Sequence, residues 1–212
     1  MNYLALGDSI SIDDYTGVPN GGAVSQFARL ITALQVEDLT CNGCTTLDVW
    51  EALPTVTIPP DIVTLTAGGN DFLMGGAELM VPGAAGSGGW AQIVEAPLQT
   101  LEAITRRLAA YRCPVIMNTV YDPTDGDDAV AAQYGLPAAA RQAFNALNAG
   151  IQEIARRNGF LCADLKALFH GHGPLSSDPW IVQMIEPNYA GATAIARLWH
   201  DLYRSRLGET QL

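Results

Sequence analysis

Short continuous apolar runs alternate along this chain with longer segments whose apolar residues recur three or four positions apart. The runs cover residues 2–6, 36–41, 61–66, 114–120 and 160–165, and their length and residue types predict strands. The run at 61–66 is β-branched and apolar enough for a strand buried on both faces. Helical spacing covers 23–34, where Val24, Phe27, Leu30, Ile31 and Leu34 share a face. Thr45 and Thr46 cap a short helix bearing Leu47, Val49, Trp50 and Leu53, which Pro54 ends. Longer helices are predicted over 90–111, bent by Pro97, over 137–158, stopped by Gly159, and over 188–207, with Ala194, Ile195, Leu198 and Trp199 on the apolar face. Residues 75–89, with six glycines and a proline, read as a long flexible loop, and 121–135 as an acidic solvated flap. Strands alternating with helices predict a parallel sheet with helices on both faces.

The chain has 212 residues and no internal repeat or linker, so a single domain over 1–212 is expected. Half-apolar composition (49% hydrophobic, 16% charged) favours a packed core over disorder. The net charge is −11, and no basic cluster is denser than Arg106-Arg107 or Arg156-Arg157. Nucleic acid and anionic membrane surfaces are thereby disfavoured as partners. The first apolar run is too short for a secretory signal core or a membrane span of roughly 20 residues, which leads to a cytoplasmic expectation. Cys41, Cys44, Cys113 and Cys162 are expected to be free thiols: the C-x-x-C spacing at 41–44 lacks the second ligand pair of a structural zinc site. The glycine-rich 75–89 stretch lacks the lysine and hydroxyl of a phosphate-binding loop, and the acidic stretch lacks calcium-loop spacing.

Three polar, glycine-bearing stretches follow the first three strands: Gly7-Asp8-Ser9, Asn42-Gly43 and Gly68-Gly69-Asn70-Asp71. A doubly wound sheet brings such strand ends to one edge, where ligands bind. Each stretch taken alone is as well read as a turn in which polar side chains bond local amides. Together they supply the parts of acyl transfer. Ser9 offers a hydroxyl and an amide, Gly43 an unobstructed amide, and Asn70 a side-chain amide for a developing oxyanion.

These blocks resemble those of the SGNH branch of GDSL esterases and lipases, and the resemblance covers most of the chain. It implies Ser9 as nucleophile, with Gly43 and Asn70 beside it in the oxyanion hole. It further implies an α/β fold, three-layer α/β/α with a five-stranded parallel sheet, flavodoxin-like. Metal-free, cofactor-free hydrolysis of small-molecule esters follows from the same resemblance. No G-x-S-x-G elbow of an ordinary α/β-hydrolase is present.

The fourth block departs from the family pattern of Asp-x-x-His ahead of Pro-Asn. Here Gln183-Met184-Ile185-Glu186 precedes Pro187-Asn188, so Glu186 stands at the histidine position and Gln183 at the aspartate. Three arrangements stay open. His172, from the His170-Gly171-His172-Gly173 connection, is the favoured base, since imidazole suits proton transfer near neutral pH. Glu186 itself can serve if its pKa is raised. With no base, the chain is a non-catalytic small-molecule binder on the same fold. His200 reads as structural, and Asp178 either orients a histidine or forms a turn with Pro179. A flavin or nucleotide binder is a weaker third reading, opposed by the missing phosphate loop.

Overall fold

The computed structural model describes residues 1–80, 89–133 and 136–209. Five strands, β1 (Asn2–Gly7), β2 (Gln35–Thr40), β3 (Ile62–Thr66), β4 (Val115–Asn118) and β5 (Leu161–Ala163), form a parallel sheet in the order β2-β1-β3-β4-β5. That is the flavodoxin-like order, with its switch point between β1 and β3. The register pairs Gly7 with both Thr40 and Thr66, so the carboxyl ends of the three strands lie side by side.

Helices α1 (Ala23–Leu30), α2 (Thr46–Ala52), α3 (Gly69–Leu79), α4 (Gly89–Leu108), α5 (Asp128–Gln133), α6 (Ala138–Asn158), α7 (Leu165–Leu168) and α8 (Tyr189–Glu209) accompany the sheet. Alternate residues of β1 feed opposite cores, as the two-residue strand period requires. Leu4 and Leu6 pack with Val49, Leu101, Ile104 and Leu147 of α2, α4 and α6. Tyr3 and Ala5 pack with Phe27 of α1 and Trp199 of α8. Phe27 sits edge-on to both Tyr3 and Trp199, at centroid distances of 5.2 and 5.7 Å. All five residues of β3 are buried, as the sequence pattern requires of a central strand.

The helix signals hold locally. Thr45 accepts from the Asp48 amide while Asp48 accepts from the Thr45 amide, a reciprocal cap for α2. Gly159 ends α6 in the left-handed conformation.

Two expectations change. The glycine-rich stretch is not a loop from residue 75: α3 continues through Gly75 and Gly76 to Leu79, while residues 81–88 lie outside the described residues. Side chains of α4 explain the glycines. A Cβ on Gly75 would lie 2.9 Å from Ile93, and one on Gly76 would lie 3.3 Å from Trp90. The second change is a small antiparallel pair, β6 (Ile181–Val182) with β7 (Glu186–Pro187), outside the main sheet. Two-residue strands carry no readable period. Gln183 and Met184 in its turn both take left-handed backbone (φ 47° and 72°), a costly conformation for residues with side chains. Among the described residues, no helix is long and apolar enough to cross a membrane.

Candidate active site

The site begins where β1 ends. Gly7 has φ +138°, and a Cβ there would lie 2.0 Å from the Thr66 carbonyl oxygen. Only glycine lets the two strand ends approach so closely. The chain then enters a single 3₁₀ turn, Ser9–Ser11, whose preceding residue is Asp8. Thr66 Oγ1 pins this turn by accepting from the Asp8 amide (3.1 Å) and bonding the Ser11 hydroxyl (2.9 Å).

Ser9 Oγ donates to Glu186 Oε1 at 2.9 Å, and both residues are buried, at 4% and 6% exposure. Burial raises the Glu186 pKa, and the hydrogen bond from Ser9 opposes the rise. Glu186 Oε2 and Asp8 Oδ1 are both buried with no hydrogen-bond partner among the described residues. Burial pushes the Asp8 carboxyl up to about 6; hydrogen bonds from Thr66 and the Ile10 amide act against this, and the charge of Glu186 adds to it. The Glu186 carboxylate thus disfavours the ionised form of Asp8.

The neighbouring strand ends meet the same edge. The Cys41 amide donates to the Gly7 carbonyl at 3.0 Å, bringing the loop that carries Gly43 alongside the end of β1. Gly43 has φ +75°, with open space where a Cβ would project. Asn70, in the first turn of α3, donates from Nδ2 to the Cys44 carbonyl at 2.9 Å. Asp71 accepts from both the amide and the hydroxyl of Thr46, at 2.9 and 2.7 Å, so α3 and α2 start from a common joint.

Ser9 and Asn70 open onto a cavity of ≈ 360 Å³, walled by Phe72, Val120, Phe144 and Ile185 among others. Most of this lining is apolar. Arg141 also lines it, paired with Asp122 at 3.0 Å and Asp128 at 2.8 Å.

The histidines are elsewhere. The His172 ring stacks on Trp180 at 3.5 Å, and its Nδ1 lies 2.9 Å from the Asp178 carbonyl and 3.3 Å from its carboxylate. Asp125 holds that connection by accepting from the amides of Gly171 and Gly173, each at 3.0 Å. The loop is thus tied down rather than free to turn inward, and His172 is not brought to Ser9. His170 lines a separate polar groove with Asp164 and Lys166. His200 on α8 lies 3.7 Å from Asp201. Asp125 also shows that the acidic stretch is not merely solvated, since it supplies internal ligands to backbone amides.

The cysteines are likewise not all free. Cys41 and Cys44 form a disulfide across the loop that holds Gly43, their Cα atoms 5.5 Å apart, within reach of a bridge. Cys113 and Cys162 are free and half-buried, and burial pushes both thiols up to about 11.

Residues 5–194 match the GDSL-like lipase/acylhydrolase family. The chain belongs to that family. No functionally curated protein matches it. Among solved structures of similar fold, the lipase Lip_vut3 from a goat rumen metagenome superposes with a TM-score of 0.75 at 17% identity, covering 95% of this chain and 97% of that one. Axe2, an acetylxylan esterase from Geobacillus stearothermophilus, gives 0.70 at 17% identity, with 95% and 93% covered. LAE5, an α/β hydrolase from the metagenome of Lake Arreo, gives 0.68 at 20% identity, with 95% and 94% covered. Catalytic mutants of Axe2 replace a serine and a histidine by alanine. In this GDSL-family chain the residue bonded to the serine is a glutamate.

Tyr121 has no distinguishing signal in the sequence, whereas Asp8 is visible as part of the Gly7-Asp8-Ser9 block and the cysteine pair as a C-x-x-C spacing. Tyr121 stacks on Phe169 (4.2 Å), which meets Trp180 edge-on (5.7 Å), so one aromatic row runs from the His172 stack to the cavity wall.

Proposed function

We propose that this family member is a serine esterase in which Glu186, in place of histidine, is the base for Ser9. The buried 2.9 Å bond from Ser9 Oγ to Glu186 Oε1 carries the reading. Glu186 takes the hydroxyl proton as Oγ attacks the ester carbonyl carbon, and the carbonyl oxygen becomes an oxyanion. Amides of Ser9 and Gly43, with the second Nδ2 hydrogen of Asn70, are the donors for that oxygen. The protonated Glu186 then returns its proton to the departing alkoxide, leaving an acyl-Ser9. A water molecule, deprotonated by Glu186, hydrolyses it. A raised pKa suits a carboxylate to this work, because it strengthens the base.

The cavity beside Ser9 receives the acyl group. It is lined by Asn70 but not by Glu186, so it lies on the oxyanion side, away from the group that must protonate the leaving alcohol. Its volume falls in the range of small-ligand sites, and its apolar walls favour an aliphatic or aromatic acyl chain longer than acetyl.

Labelling with a fluorophosphonate tests the nucleophile. Ser9 should be modified, and Ser9→Ala should lose both labelling and p-nitrophenyl ester hydrolysis, by about 10⁴-fold or more. A protein that binds esters in the cavity without labelling is a non-catalytic binder instead.

A further inference from the structure

We infer that the Cys41–Cys44 disulfide is a positioning element of the oxyanion hole, and that a dithiol reductant therefore lowers turnover. The inference rests on the serine-esterase reading above. Two of the three oxyanion donors depend on the cross-linked loop. Gly43 lies inside it, and the Cys44 carbonyl is the acceptor that holds Asn70 Nδ2 at 2.9 Å. The flanks of the loop are fixed by other means. Its start is bonded to β1 through Cys41 and Gly7, and its end runs into the Thr45–Asp48 cap and the Thr46–Asp71 joint. Between those anchors the backbone bond from the Cys44 amide to the Cys41 carbonyl is long, at 3.4 Å. The disulfide thus closes the turn at the point where Gly43 must keep its left-handed conformation.

Chemical access is asymmetric. Cys41 is exposed and Cys44 is buried at 7% exposure. One thiolate of the dithiol attacks Cys41 Sγ, the Cys41–Cys44 bond breaks, and Cys44 leaves as thiolate. The second thiol of the reagent then closes on the mixed disulfide and releases Cys41. Two electrons and two protons pass to the cysteines, and the dithiol becomes a cyclic disulfide. Cys113, just ahead of β4, and Cys162, on β5, are already free thiols, so the loop disulfide is what the reagent reduces. Such a bond persists in oxidising compartments and is lost to cytosolic thiol pools.

The test compares oxidised wild-type protein with the same protein after dithiothreitol, and with Cys41→Ser/Cys44→Ser, on one p-nitrophenyl ester. Reduction should lower kcat by about 10²-fold, the typical cost of a displaced catalytic group, with KM within about twofold. Reoxidation should restore it, and the double variant should match reduced wild type and ignore the reductant. Asn70→Ala should cost much less in reduced than in oxidised protein, because both changes act on one hole. Equal kcat in the oxidised and reduced forms overturns the inference while leaving the esterase reading intact. So does a lowered melting temperature with additive Asn70→Ala losses, which marks a mere staple. Absence of Ser9-dependent turnover in the oxidised protein overturns both. Reduction and reoxidation of wild type decide the matter even if the double variant does not fold.

Discussion

Tyr121 donates its phenolic hydrogen to the carbonyl of Ile185, the residue immediately before Glu186. Burial holds this phenol well above its ordinary range, so it stays a donor at any working pH. The bond ties the β4 connection to the β6–β7 hairpin and steadies the carboxylate opposite Ser9. Tyr121→Phe keeps the stack on Phe169 and deletes only that tether. A loss of about 3–10-fold in kcat is expected, the worth of one hydrogen bond. An unchanged kcat and pH profile would show that Glu186 is held without it.

Glu186→Gln preserves shape and removes the proton acceptor. Esterase kcat should fall by about 10³-fold or more, whereas His172→Ala, which leaves the Ser9–Glu186 bond in place, should stay within about twofold. The acid limb of kcat/KM gives an independent reading. Glu186 must be ionised to act, so activity falls as pH drops through its raised pKa, and the limb lies above the ordinary glutamate value of 4.5. Loss of the limb in His172→Ala would return the base to the imidazole.

Asp8 titrates in the same neighbourhood, so the limb belongs to the pair. Its folded pKa is about 6 against an ordinary 3.8, so the folded state holds a proton that the unfolded state releases. The sign follows: Asp8 costs the fold nothing below the ordinary value and its full penalty above about 6. Relative to wild type, Asp8→Asn should therefore gain stability between pH 4 and 7, by up to about 3 kcal/mol at 1.36 kcal/mol per pH unit. It should also leave the acid limb of activity to Glu186 alone. Denaturant melts at the two pH values check the first effect. A stability gap independent of pH would mean that Asp8 is not buried as a carboxylate.

Asn70→Ala should lower kcat by about 10²–10³-fold with little change in KM, since an oxyanion donor acts chiefly in the transition state. A change confined to KM would make Asn70 a substrate-binding residue.

Acyl preference should follow the cavity. Butyrate esters of p-nitrophenol are expected to exceed acetate in kcat/KM by about 10-fold and hexanoate esters by up to about 200-fold, since each buried methylene is worth about 0.8 kcal/mol. Ala131→Leu, in the cavity wall, should erase that preference while sparing acetate. If length dependence instead follows the alcohol portion, the cavity holds the leaving group.

Much of this was legible before any coordinates. The strand at Ile62–Thr66 announced itself by four β-branched residues in five, and the three strand-end blocks fell on one edge because parallel topology puts them there. The partner of the Ser9 hydroxyl was legible only as one of three arrangements left open. Glu186 was visible as a departure from a pattern, but its partnership with Ser9 spans 177 positions and depends on a two-residue strand without periodicity. His172 looked mobile because glycines flank it, yet the Asp125 carboxylate 46 and 48 positions earlier binds both neighbouring amides. The cysteine pair matches a metal-site spacing in sequence, and closure of its four-residue loop is a matter of backbone conformation rather than composition.

The two halves of the Ser9–Glu186 pair belong to parts of very different cohesion. Ser9 extends from a central strand bonded on both sides, while Glu186 rides on a two-residue ribbon outside the sheet. Native proteins open piecemeal, and such a ribbon exchanges its amide hydrogens long before a central strand does. Heating should accordingly silence hydrolysis several degrees before the core melts, and cooling from that range should bring it back. Amide deuteration of 181–187 in that window, with 62–66 still protected, would place the onset of inactivation in the ribbon.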